Sequence, residues 1–128
     1  MTVMTPKAKG HERLAALASR YIDVASLPWV PSRFKGIDLK VLMEDKETGL
    51  MTVLTRFVLG ATLPDHTELE QSYVLQGSLV DKEGVATAGN YVWRPAGRRH
   101  DAHSPDGAIV LSFFLKPNKF FDMGGRHI

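Results

Sequence analysis

From about residue 36 onward, glycine- and proline-marked turn signals recur roughly every 8 to 15 residues, separating short apolar runs that alternate like strands. Ile37, Leu39, Val41 and Met43 alternate with Asp38, Lys40 and Leu42. The polar loop Glu44 to Gly49 then leads into a second run from Leu50 to Leu59, which Gly60 ends. Gln71 to Leu79 forms the next run, and Gly77 within it marks a bend or a close backbone approach. Turns at Asp81–Gly84, Pro95–Gly97 and Ser104–Gly107 frame the short aromatic segment Gly89–Trp93 and the almost wholly apolar run Ala108–Leu115. Seven or eight short strands so spaced call for an all-β sandwich or barrel.

Only one helix is expected, a short one over His11–Tyr21 with Leu14, Leu17 and Ala18 at helical spacing. Residues 1–10 are polar and end in Gly10. Leu27–Pro31 carries two prolines and cannot be regular structure, so bulky Trp29 is expected to drape over a sheet. The organisation expected is an N-terminal arm with a short helix (1–24), a barrel (25–121) and a C-terminal tail (122–128).

At 128 residues the chain can bury one domain's core, and 44% apolar with 23% charged residues is ordinary globular composition. No apolar run reaches the ~20 residues of a membrane span, and the N-terminus lacks the form of a signal peptide. With no cysteine, a cytoplasmic location is expected and any transition metal must be held by His and carboxylate. A formal charge of +2 without an extended basic stripe argues against a nucleic-acid partner.

Chemistry concentrates between residues 60 and 100. If the segment is extended, His66, Glu68 and Glu70 project from one face, and such a row needs solvent or a cation. His100 follows a Pro-x-Gly turn where a new strand should begin. Two histidines and a carboxylate on a β scaffold form a facial triad suited to non-haem iron or to an open zinc site. His103 differs in parity from His100 and should point away; it and Glu68 are the less favoured ligands. His11 and His127 fall in terminal segments. Arg94, Arg98 and Arg99 could hold a carboxylate or enolate, or simply be solvated. Trp93, Tyr73 and Phe113 are expected to fill the barrel.

Gly89, Pro95, Gly97 and His100 resemble the second motif of the cupin superfamily, with Ser104 where that motif usually ends in Asn. The first cupin motif can be laid on the chain in two registers. One keeps His66, Glu70 and Gly77 in place and puts Pro64 at the first histidine. The other makes His66 the first histidine, puts Glu68 at the second and shortens the loop. Either way one usual histidine ligand is missing. Residues 25–121 further resemble cupins related to the C-terminal zinc domain of ChrR-type anti-sigma factors and to acetylacetone-cleaving dioxygenases.

The resemblance implies a cupin jelly-roll β-barrel, usually a homodimer, holding a divalent metal (Fe, Zn, Ni or Mn). It implies ligands among His66, Glu70 and His100, and a small-molecule substrate such as a diketone or hydroxyketone. The helical domain by which an anti-sigma factor grips its sigma factor is not expected here. A non-catalytic zinc- or ligand-sensing cupin and a metal-free binding cupin are the alternatives.

Overall fold

The computed structural model describes residues 3–4, 19–66, 68–97 and 99–128, and the expected helix over His11–Tyr21 falls largely outside them. Among the described residues there are eleven strands: β1 (Val3–Met4), β2 (Val30–Pro31), β3 (Ile37–Asp45), β4 (Met51–Phe57), β5 (Thr62–His66), β6 (Glu70–Val80), β7 (Val85–Thr87), β8 (Tyr91–Arg94), β9 (His100–His103), β10 (Ala108–Phe114) and β11 (Phe120–Phe121). Their only helical element is a 3-10 turn at Val24–Ser26. Every pairing is antiparallel, in the order β1-β3-β4-β10-β6-β9-β5-β11, with β2 added to β3 and β7 and β8 to β6.

The sheet curls round one inward face, and the inward rows follow from strand parity. On β10 these are Ala108, Val110, Ser112 and Phe114, all buried; on β6 they begin Glu70, Ser72, Val74. Ile37, Phe57, Ala61, Val74, Leu79, Ala108 and Val110 form the buried apolar cluster. That parity corrects the expectation for three aromatics. Tyr73, Trp93 and Phe113 alternate with inward residues, so they lie exposed on the outer face instead of filling the barrel.

Register breaks at three places and each bends the sheet. One lies between Val41 and Met43, and one between Leu63 and His66, where Pro64 has no N–H for the ladder. The third precedes Gly77, whose φ of 73° and close approach to the Gly107 carbonyl leave no room for a Cβ. The close approach expected at Gly77 is therefore present, with Ala108 as its cross-strand partner.

Trp29 does drape over the sheet, its ring 4.8 Å from Lys40 Nζ and 4.5 Å from the Arg56 guanidinium. Lys40 Nζ also donates to the Val24 carbonyl (3.0 Å), and Arg56 pairs with Asp38 (2.8 Å), which fastens the proline-rich segment. The C-terminal tail folds back rather than trailing away: Ile128 N–H donates to the Phe120 carbonyl, and Phe121 bridges to His127.

Candidate metal centre

His66 closes β5 and His100 opens β9, and they are direct cross-strand partners. Both are buried, with ring centroids 6.4 Å apart. Glu70 opens β6, flanked across its two neighbouring strands by Phe114 and Arg94. The chain turns between His66 and Glu70, so the extended row His66, Glu68, Glu70 does not form. His66 and Glu70 still meet, with Nε2 and Oε1 3.0 Å apart, while Glu68 stands at the bend with its backbone N–H on Asn118 Oδ1. His103 is exposed, as its parity required. Among the described residues, no group of three or more His, Asp or Glu side chains is gathered as a ready-made metal site.

A directed hydrogen-bond chain supports this pair. Ser72 Oγ donates to Glu70 Oε2 at 2.6 Å and lies 2.7 Å from Ser112 Oγ. A hydroxyl has one proton, so with Ser72's committed to the carboxylate, Ser112 must be the donor between the serines. The ring nitrogen Nδ1 of His66 is 2.9 Å from the Pro64 carbonyl, which can only accept, so that nitrogen carries a proton and Nε2 faces Glu70. Sequence reasoning missed both serines. The available sign was their parity: Ser72 shares the inward row of Glu70, and Ser112 interrupts an otherwise apolar inward row.

Burial alone would lower the pKa of His66. The hydrogen bond and negative charge of Glu70, with the Pro64 carbonyl, outweigh it and raise the value above the usual 6.5. Burial would likewise raise Glu70, but His66, Ser72 and the more distant charge of Arg94 hold it below 4.5. The two shifts favour a proton on His66 and a charged Glu70, so the 3.0 Å contact is a shared-proton, imidazolium–carboxylate pair. Arg94 is buried and ion-paired with Asp81, whose own pKa is depressed by that guanidinium against the opposing effect of burial. It contributes positive charge beside the pair and is not a solvated rim residue. Arg99 stacks on the Phe121 ring at 3.8 Å, and Arg98 lies outside the described residues.

His100 is the member left incomplete. Its Nδ1 lies 3.9 Å from Glu83 Oε1, whereas its buried Nε2 has no hydrogen-bond partner among the described residues. Ser104, at the last motif position, is fully buried and donates to the Ser78 carbonyl at 2.6 Å, tying the end of β9 to β6.

Two cavities adjoin the cluster. A polar one of about 200 Å³ reaches His100 past Asp81, Glu83 and Arg94. An apolar one of about 320 Å³ is walled by residues including Leu63, Phe114 and Phe120. The Phe120 ring lies 5.8 Å from that of His66, and Phe114 is the cross-strand neighbour of Glu70, so this cavity abuts the polar cluster.

The family described as the ChrR cupin-like domain matches residues 17–119, most of the chain. This chain is a member of that cupin family. Its all-β curled sheet is the cupin jelly-roll architecture. Solved structures agree at the level of fold. An acetylacetone dioxygenase from Acinetobacter johnsonii is 21% identical with a TM-score of 0.73, over 90% of this chain and 85% of the other. A candidate acetylacetone dioxygenase from Methylibium petroleiphilum is 22% identical with a TM-score of 0.78, over 90% and 89%. The anti-sigma factor ChrR of Rhodobacter sphaeroides, solved in complex with SigE, is 22% identical with a TM-score of 0.60, over 70% of this chain and 50% of that one. No curated protein is significantly similar in sequence. Among the described residues, no helix is long and apolar enough to cross a membrane.

Proposed function

We propose that this cupin is a metal-dependent oxygenase acting on a small diketone or hydroxyketone, with one divalent metal (iron, zinc, nickel or manganese) held by His66, Glu70 and His100. The observation that carries the reading is the donor set. His66 Nε2 and Glu70 Oε1 are 3.0 Å apart, about the separation of neighbouring ligands around a metal at ~2.1 Å from each. Beside them the buried Nε2 of His100 has no partner. The residues therefore fit a metal in chemistry: the proton shared by the pair occupies the place a cation would take, and a third donor, His100 Nε2, has no partner among the described residues.

Such a metal supplies Lewis acidity, which polarises the oxygens of a bound enolate. The chain's own contribution is orientation and shelter. The Pro64 carbonyl fixes the His66 tautomer, Ser72 holds the outer oxygen of Glu70, and buried Arg94 adds positive charge beside the site. The neighbouring apolar cavity offers a hydrocarbon body an apolar wall to lie against.

Metal analysis of tag-free protein purified without chelator tests this reading. About one equivalent of a single divalent metal is expected, lost in both His66→Ala and His100→Ala. Glu70→Gln should lose it more severely than Glu68→Gln. Full metal content in either histidine variant would overturn the site, and oxygen uptake on a diketone panel then tests catalysis.

A metal-free ligand-binding cupin is the second reading, because His66 and Glu70 already satisfy one another. Failure to take up any metal on titration decides for it.

A further inference from the structure

The apolar cavity carries one cation placed for recognition. Arg33 lies on its wall, with its guanidinium 5.0 Å from the centre of the Phe34 ring and 5.6 Å from that of Phe120. The two rings pack 4.8 Å apart, so they form a shared platform beneath the charge. Stacking of this kind holds a guanidinium through its face and leaves its edge, where the N–H donors are, available. Among the described residues no carboxylate pairs with Arg33. The one carboxylate on the cavity wall is Glu44, next to the end of β3 and paired across to Met51 on β4. Behind the platform the wall is hydrocarbon: Ile37, Leu39, Val53, Leu63 and Phe114.

We infer that Arg33 is the head-group residue of this cavity and that the ligand is a small organic acid. Its carboxylate is held by the Arg33 guanidinium, and its hydrocarbon body lies along Phe34 and Phe120 towards Leu63 and Phe114. A cavity of about 320 Å³ is at the small end for ligand sites and suits a body on the order of six to eight carbons. The Phe120 ring meets the Arg33 guanidinium on one side and the His66 ring on the other. A diketone carrying a carboxylate, held by Arg33, would have its body against the same Phe120 ring that borders His66. That last step rests on the oxygenase reading; binding of the acid does not, because it needs no metal.

Calorimetry on chelator-treated full-length protein separates the two. Hexanoate and hexan-1-ol share a hydrocarbon body and differ in the charged head. Hexanoate should bind about two- to fivefold tighter, the usual worth of an ion pair at an exposed guanidinium. Arg33→Gln should remove that preference while leaving the weak binding of the alcohol, and Arg33→Lys should restore only part of it. Arg99→Gln is the matched control, a guanidinium stacked on Phe121 that is not part of the cavity wall, and should change nothing. Arg33 is exposed, so retention of the β-type circular dichroism and melting midpoint is expected in its variants. Equal affinity for acid and alcohol, an unchanged preference in Arg33→Gln, or no binding of either probe would each overturn the inference. A separate metal titration reports on the oxygenase reading alone.

Discussion

The direction of the hydrogen-bond chain Ser112 to Ser72 to Glu70 makes two chemically identical substitutions unequal. Ser72→Ala removes the donor to Glu70 Oε2, leaving a buried carboxylate oxygen without its 2.6 Å bond. A bond to a charged group is worth roughly 1.5–3 kcal/mol, and almost no volume is lost to soften or enlarge that penalty. Ser112→Ala removes a neutral donor, worth about 0.5–1.5 kcal/mol, while Ser72 keeps its proton on the carboxylate. We expect about 2 kcal/mol for Ser72→Ala and about 1 kcal/mol for Ser112→Ala. Equilibrium unfolding in urea resolves the difference: with a slope of about 1.5 kcal/mol/M, the midpoints should fall by about 1.3 M and 0.7 M. The double variant should cost little more than Ser72→Ala alone, because the two residues share one chain of bonds. A Ser112→Ala variant as destabilised as Ser72→Ala, or more so, would refute the assigned direction. So would strict additivity in the double variant.

In metal-free protein the His66–Glu70 pair should confer a stability plateau bounded on both sides. Glu70 is depressed in the fold, so its contribution is present above the unfolded value of 4.5 and fades as pH falls through the lower folded value; His66 is raised, so its contribution is full below 6.5 and fades as pH rises through the higher folded value. The unfolding free energy of wild type minus that of Glu70→Gln should thus be greatest between about pH 4.5 and 6.5, and a difference that grows steadily with pH contradicts the pairing. Metal binding at the pair must displace the proton shared by His66 and Glu70, so calorimetry below pH 6.5 in buffers of different ionisation enthalpy should show about one proton released per metal; none released would mean that the metal sits elsewhere. Gly77→Ala should lower stability by at least 2 kcal/mol in urea unfolding, since it combines a positive φ with a clash against the Gly107 carbonyl.

The fold was readable because its signals are local. Alternation and turn residues depend only on near neighbours, and the runs beginning near Ile37, Leu50, Gln71 and Ala108 became β3, β4, β6 and β10. The site was readable in part for the same reason: His66, Glu70 and His100 stand at strand ends that the turns define. What stayed hidden depends on which residues end up opposite one another. The parity of β6 relative to β10 decides that Tyr73 faces out and Ser72 meets Ser112, and a single strand's sequence does not say which of its faces is inward. Arg94 shows the same limit. Its pairing opposite Glu70 turns it into the barrel, where Asp81, 13 residues earlier, forms an ion pair with it; as an isolated arginine it reads as solvated.

Pro64 sets the geometry of the His66–Glu70 pair. A proline in β5 has no N–H to offer β9, so the ladder breaks between Leu63 and His66. The break frees the Pro64 carbonyl to turn towards its own strand, where the His66 ring, two residues on, donates to it. In the register that puts Pro64 at the first motif histidine, that position orients the His66 ring. Its acceptor obliges His66 to keep a proton on Nδ1, and Nε2 is then the only nitrogen that can face Glu70. The cluster is preorganised: the His66 ring and both Glu70 oxygens are fixed by hydrogen bonds. Among the described residues, the buried polar atom of the cluster without a partner is Nε2 of His100, across the strand from His66. The burial of that atom, in a protein whose other site donors are all engaged, is the physical reason to look for a cation there.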